Sequence, residues 1–564
     1  MKKIAFTILL AVTAVMTSHA QGAYDAWLFS ENNYVGTARS VAMGNAFTAL
    51  GGDLGSIGIN PAGSAVAGYS QISLTPSLTF AVNTAAGVPY EGSTNPYFQR
   101  EMKNRTTKFY IPNVGATFSF DTGRRTGLKN VTIGIVMNTS NSWCEDLYAN
   151  GTNSQTSFLA AVASDATDEI ASFNTDRPSY EPEYTKGDYL NQDAFKYMNW
   201  RNTVAYRSGM ISTFDAQGKE FVGATETLLE NGSIMQSGKV DQTYGRTVSG
   251  SKYEYLINVG MNISDFVYVG ANLGVNSIAY DYTHYFRESA VDPDHFENVF
   301  YDNDGNQHTT YFKEALYKHS YSADGTGVFG KVGVIVTPGH GIRIGAAVQT
   351  PTATTITEQW QDKANCTFTN SEFSGSADSD LGQNEYSFNS PWRGNIGLAY
   401  TLGRAAVFSV DYEIADFGSM KYKIKRNSMQ EADVEYFLGV NQEIKETYGT
   451  SHHLRVGAEI KPIDRLALRA GYNMTSSAQK KFFDAYSGEY LDLSPSFGHN
   501  IALGAGFISR KSFFADIACR YTFTTDEYIY PYSDYILEQK GIFSPEILSR
   551  HSNWKLLMTV GWRF

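Results

Sequence analysis

Ten ionisable residues stand inside runs of alternating apolar and polar residues: Lys331, Arg343, Arg393, Asp411, Glu413, Arg455, Glu459, Arg469, Asp516 and Arg520. In an extended strand this spacing puts them on one face. The opposite face, for example Leu454, Val456, Ala458 and Ile460, is apolar. Both signs occur on neighbouring runs, so the polar face can be crossed by ion pairs that satisfy charges held away from bulk water. The same cations suit a second chemistry, because a guanidinium holds a carboxylate through two parallel hydrogen bonds. Arg393, Arg455 and Lys331 are the candidates for holding the carboxylate of a ligand. The spacing leaves both roles open. Phe195 and Met198, in the long connection Trp143 to Gly250, either form the core of a small cap packed on itself or are the candidates for apolar ligand contact.

Catalytic and metal chemistry find little support. There is no Gly-x-Ser-x-Gly nucleophile elbow. His452, His453 and His499 lack an acidic partner at metal-binding spacing. Asp302-Asn303-Asp304-Gly305-Asn306 has the alternating oxygens of half a calcium loop. Thr309 to Lys313 supply no distal glutamate, so a polar turn is the expectation. The three cysteines, Cys144, Cys366 and Cys519, are too few and scattered for a disulfide framework or a zinc site. A net charge of −12 excludes the basic footprint of nucleic-acid binding. The chain is expected to be no enzyme and to need no cofactor.

The elements that position the charged face are strands. Aromatic residues make up 14% of the chain, with 37 Tyr and 34 Phe, and no run of about eighteen apolar residues follows the N-terminus. About fourteen alternating runs follow one another from Ile72–Val82 to Trp554–Phe564. The first two carry Pro76 and Pro112, which predict a bulge or an edge. Short connections (Ser264-Asp265, Pro338 to Gly341, Leu402 to Arg404, Pro462 to Asp464, Ser509 to Lys511) alternate with long ones. The longest of these is Trp143 to Gly250, within which Ser157–Ser172 and Asp188–Ile211 predict helices. Short turns on one side and long loops on the other are the pattern of a transmembrane barrel. The fold class is therefore all-β, an antiparallel membrane barrel.

Ahead of the barrel, Met1 to Ala20 reads as a signal peptide: Lys2 and Lys3, an apolar run from Ile4 to Val15, and Ser18-His19-Ala20. Thr37 to Val66 is rich in glycine and alanine, charged only at Arg39 and Asp53, and includes Asn60-Pro61-Ala62-Gly63. Such residues pack backbone closely inside a larger shell. The stretch Ala38 to Ala49, the small-residue spacer and the Asn60-Pro61-Ala62-Gly63 turn resemble the FadL-type transporters of long-chain fatty acids and other hydrophobic compounds. The resemblance implies an N-terminal hatch (21–68) in the lumen of a fourteen-stranded barrel (69–564) of the bacterial outer membrane. It implies passive transport of hydrophobic small molecules, long-chain fatty acids above all, in contact with outer-membrane lipid. A strand kinked to open a side window belongs to the resemblance, and its position here is open. Trp562-Arg563-Phe564 looks like the aromatic strand end by which barrel assembly machinery recognises its clients. A pore for hydrophilic solutes, a surface adhesin and an outer-membrane hydrolase are the rival readings.

Overall fold

Each alternating run is a strand because its two faces meet different surroundings, and closing the sheet into a cylinder leaves no unpaired edge. The computed structural model describes residues 22–89, 97–98, 100–175, 181–229, 234–301, 306–424, 429–484, 489–509, 512–537 and 540–564. The expected leader at 1–20, the calcium-like residues 302–305 and residues 510–511 of one short connection lie outside the described residues.

The barrel has fourteen antiparallel strands. They are β1 (Gln71–Gly87), β2 (Met102–Asp121), β3 (Leu128–Asn153), β4 (Val240–Ile263), β5 (Val267–Ala290) and β6 (Gln307–Gly339). Next come β7 (Ile342–Gln349, continued by Ala353–Phe368), β8 (Gly382–Asn389, continued by Arg393–Leu402) and β9 (Ala406–Asp416). The last are β10 (Thr450–Ile463), β11 (Leu466–Ser476), β12 (Phe497–Ile508), β13 (Phe513–Ile529) and β14 (Ile547–Arg563). Closure is antiparallel, with Gln71 opposite Arg563 and Gly87 opposite Ile547. Pro351 and Pro391 break β7 and β8 side by side. The Ser390 hydroxyl accepts from the Thr352 N–H there (2.9 Å), in place of a ladder bond.

Val456, Ile460, Trp554, Leu556, Met558 and Trp562 are exposed on the outer face. Their neighbours Arg455, Glu459, Lys555 and Thr559 are buried on the inner one. An apolar exterior around a polar interior is a shell built for lipid. The chain is thus a transmembrane barrel of the outer-membrane kind.

Two expectations need correction. The outer strands reach much further than the apolar alternation suggests: β3 has 26 residues and β6 has 33, where about 9–11 cross a bilayer. Trp143–Asn153 and Val240–Gly250 are therefore strand and not loop. These halves no longer face lipid on one side, so Glu145, Asp146, Asn150 and Thr152 replace apolar residues and hide the period. The turn between β2 and β3 was also missed in the sequence. It relies on Gly123 and Gly127 in the left-handed region (φ 72° and 76°).

A charge on the lipid face tests this placement. Val456→Arg, near the middle of β10, is expected to destabilise the barrel by about 2–4 kcal/mol in reversible unfolding from vesicles, against little change for Val456→Leu. Equal stability of the two variants would remove Val456 from the lipid contact.

Candidate functional site

The segment from Gly22 to Ser70 lies inside the cylinder and touches the inner wall. It is built from α1 (Ala23–Ser30), α2 (Ala38–Ala42), a short 3-10 turn (Gly55–Gly58) and α3 (Gly63–Val66). Thr37 caps α2, its hydroxyl accepting from Ser40 N–H (3.1 Å) and donating to Asp53 (2.7 Å). Arg39 pairs with Glu459 at 2.9 Å. Arg39 and Asp53, the two charges between Thr37 and Val66, are thereby bound.

The wall facing this segment is lined with glycine, and the two approach too closely for a Cβ. A Cβ at Gly333 would fall 2.0 Å from Asn60 Oδ1, one at Gly345 2.1 Å from the Thr48 carbonyl, and one at Gly471 2.1 Å from Gly44 N. Pro61 sits likewise against Gly270, and Ser64 against Gly260. Asn60, Pro61, Ala62 and Gly63 are all buried. The Asn60 amide donates to the Thr48 carbonyl (2.6 Å) and to Val334 of β6 (3.2 Å), while its oxygen accepts from Ala62 N–H (3.1 Å). One side chain thus closes its own turn and ties it to the wall.

Lys331, Arg393 and Arg455 come together around Tyr34, and each is engaged by the protein. Glu413 accepts from Arg393 (3.0 Å) and Arg455 (2.6 Å), all three side chains being nearly inaccessible. Arg393 also donates to the Ser30 carbonyl (2.6 Å) and Lys331 to the Gly58 carbonyl (2.6 Å). Lys331 and Arg455 flank the Tyr34 ring at 5.6 and 5.9 Å. A second cluster joins Arg469 to Glu459 (2.7 Å) and Asp516 (2.6 Å). Both clusters hold the inner segment to the wall.

Phe195 and Met198 lie elsewhere. They belong to a cap over the outer mouth, formed by α4 (Phe158–Thr175), α5 (Lys186–Leu190) and α6 (Trp200–Ser208). The expected helix Asp188–Ile211 is broken into pieces at Asn191 and around Tyr197, where local side-chain and 3-10 bonding competes. Phe195 and Met198 are buried in the core of the cap with Phe158, Val162, Ile170 and Tyr189. Glu288 of β5 anchors this cap, accepting from the Phe158 N–H, the Ser157 hydroxyl and the Gln242 amide, each at 2.7 Å. The sequence-derived ligand contacts thus fall into two separate places.

The wall itself has a seam, which sequence reasoning left unplaced. β2 pairs with β3 only from Asn113 to Asp121. Above Asn113, β2 pairs with β1 alone and β3 with β4 alone. The two strand prolines meet at its foot: Pro76 of β1 stands opposite Ile111 and Pro112 of β2, a two-for-one bulge. Neither proline donates to a ladder. Beyond the seam β3 crosses the inner side of the neighbouring strands. Asp146 O there accepts from Asn83 of β1 (2.9 Å) and Ser142 from Lys555 of β14 (2.6 Å). The inner segment joins β3 where it departs, Val35 N–H donating to Thr139 O (2.8 Å) and Asn33 N–H to Ser140 O (2.5 Å). On the lipid side of β1, β2 and β12–β14 lies an apolar hollow of about 610 Å³ lined by Pro76, Leu78, Phe109, Leu503, Ile517 and Leu556. Ala518 and Leu557 of its floor pack on Val35, Ala38, Val41 and Ala42.

The histidines each meet a hydroxyl: His452 with Tyr412 (2.6 Å), His453 with Thr475 (3.1 Å) and His499 with Tyr472 (2.8 Å). Among the described residues no group of three His, Cys, Asp or Glu side chains is placed to hold a metal.

Glu413 carries the first of two tests. Glu413→Gln leaves two buried arginines without a counter-charge, and unfolding from detergent is expected to cost about 3–5 kcal/mol less free energy. Wild-type stability would contradict the pairing. The second concerns Glu226 in the cap. Burial pushes its carboxyl up to about 7, against a hydrogen bond from Gly223 N–H (2.8 Å) that lowers it. The folded cap keeps the proton that the unfolded chain releases near 4.5, so stability falls as pH rises between these values and is level above. Protease resistance of the cap is expected to decline from pH 4.5 to 7 in the wild type and to vary less in Glu226→Gln. Identical profiles would contradict it.

No family model matches the chain, and no curated protein matches it. Solved structures are similar in outline. A FadL homologue of Pseudomonas aeruginosa is 10% identical with a TM-score of 0.48, over 93% of this chain and 98% of that one. The toluene transporter TodX of Pseudomonas putida is 11% identical with a TM-score of 0.45, over 94% and 99%. The toluene transporter TbuX of Ralstonia pickettii is 12% identical with a TM-score of 0.44, over 95% and 100%.

Proposed function

We propose that this barrel is a passive outer-membrane carrier of hydrophobic small molecules, long-chain fatty acids foremost, and no enzyme. One observation carries the reading. At the level of the hatch the bore is filled by residues with no accessible surface, among them Phe47, Ala49, Ile57, Asn60 and Ala62, while beside it β3 leaves its ladder with β2 and opens the wall. Water-soluble cargo has no use for an opening towards lipid. Oily cargo does, because each Å² of apolar surface kept from water is worth about 25 cal/mol.

In this reading cargo gathers at the cap, passes the aromatic residues around α1 (Phe29, Trp143, Tyr280), and leaves through the seam between β2 and β3. Phe29 and Trp143 meet Tyr280 edge to face at 5.7 and 5.2 Å. The two backbone bonds from Asn33 and Val35 to β3 tie the hatch to the strand that opens, so a shift of one is felt by the other.

Reconstitution provides the test. Vesicles bearing the purified barrel are expected to equilibrate oleate or toluene faster than protein-free vesicles and to retain glucose. A knockout of the chain is expected to slow uptake of such compounds, restored by the wild-type copy. Glucose release with no effect on oleate or toluene would replace this reading with a hydrophilic pore.

A further inference from the structure

Four adjacent strands carry one inward-facing row of groups. Arg520 of β13 is paired with Lys555 of β14, Lys555 with Thr79 of β1, and Thr79 with Lys108 of β2. Arg520, Lys555 and Thr79 are 5%, 4% and 3% exposed. Like charges directly opposite on paired strands destabilise a sheet, and more so where water is excluded. Arg393, Arg455 and Arg469 in the lumen are matched by carboxylates. Among the described residues no carboxylate pairs with Arg520, Lys555 or Lys108.

Their partners are neutral. Lys555 donates to Ser142 Oγ (2.6 Å) and Tyr110 Oη (3.2 Å), and Lys108 to the carbonyls of Gly250 (2.7 Å) and Trp143 (3.4 Å). Arg520 reaches only Asn33 Oδ1 and the Tyr34 carbonyl, both at 3.4 Å. Its Nε and Nη2 make no protein hydrogen bond. The guanidinium faces a cavity of about 10 Å³ shared with Asn473, Asn500 and the hatch turn at Gly44 and Asn45. That is room for about one water, so a larger anion must displace the turn.

We infer that the row Arg520–Lys555–Thr79–Lys108 is a binding site for the acidic head, a carboxylate or similar oxyanion, of an amphipathic ligand at the inner lip of the seam. The inference rests on the transport reading above and deepens it. A negative head accepts from the free guanidinium edge and offsets two facing cations. Its apolar tail is left beside the strands whose lipid side carries the apolar hollow. Neutral hydrocarbons forgo these bonds. The row therefore favours acids over neutral molecules of the same length, and it displaces Arg393, Arg455 and Lys331 as the place where a carboxylate is held.

Delipidated barrel in detergent at pH 8, titrated with oleate and with oleyl alcohol, provides the test. The wild type is expected to bind oleate at least tenfold more tightly. Arg520→Met/Lys555→Met is expected to bind the two equally, with alcohol affinity unchanged. Equal wild-type affinities would overturn the head-group site and leave oily transport standing, as would an undiminished preference in the double variant. Binding of neither ligand would overturn the transport reading and this one with it. The ligand-free barrel supplies a second measurement. Removing facing cations with no counter-charge is expected to raise the temperature at which it loses its folded gel mobility, whereas a merely structural row predicts a fall, which would overturn the inference.

Discussion

The structure depends on one constraint: the inner segment and the barrel wall approach closer than any side chain allows. Gly270, Gly333, Gly345, Gly457 and Gly471 face Pro61, Asn60, Thr48, Met43 and Gly44 with no room for a Cβ. Small residues in the segment and glycines in the wall are therefore two halves of one fit. A wall of larger side chains would hold the segment off and leave a water-filled annulus around it. Close packing of this kind changes by discrete displacement more readily than by gradual stretching.

Polar groups then fix the position that the glycines permit. The Asn60 amide bridges its own turn to β6, Glu413 binds Arg393 and Arg455, and Glu459 binds Arg39 and Arg469. These charges lie in a lumen with little water, where a lost partner costs more than the pair contributes. The seam follows a different logic. Pro76 and Pro112 withhold ladder donors at one height of the wall, and the bulge between them lets β3 turn away. The hatch takes up the freed edge of β3 through Asn33 and Val35. Bore and seam are thus connected through backbone hydrogen bonds.

Much of this was legible in the chain. Period-two alternation marks all fourteen strands, because lipid and lumen impose opposite demands on successive residues. The inward set from Lys331 to Arg520 is readable for the same reason. The outer strand ends were not legible, since Trp143–Asn153 lies against the inner side of its neighbours with no lipid on either face, which removes the alternation. Pro76 and Pro112 predict irregularity, but which neighbour parts company depends on register across three strands. Phe195 and Met198 read in sequence either as the core of a cap or as ligand contacts, and they lie in the core of the cap. The facing cations of Arg520 and Lys555 appear only once the register of β13 and β14 is known. Nothing in either strand alone marks a lysine as lacking a carboxylate partner.

The central claim is that backbone contact between hatch and glycine wall closes the bore to water. Single-channel recording in planar bilayers of the wild type and of Gly333→Val and Gly345→Val measures this most directly, with native gel mobility as the control for folding. The wild type is predicted to be silent and each valine variant to pass ions, because the added methyl groups force the hatch from its seat. A conducting wild type, or folded variants as silent as the parent, would contradict it.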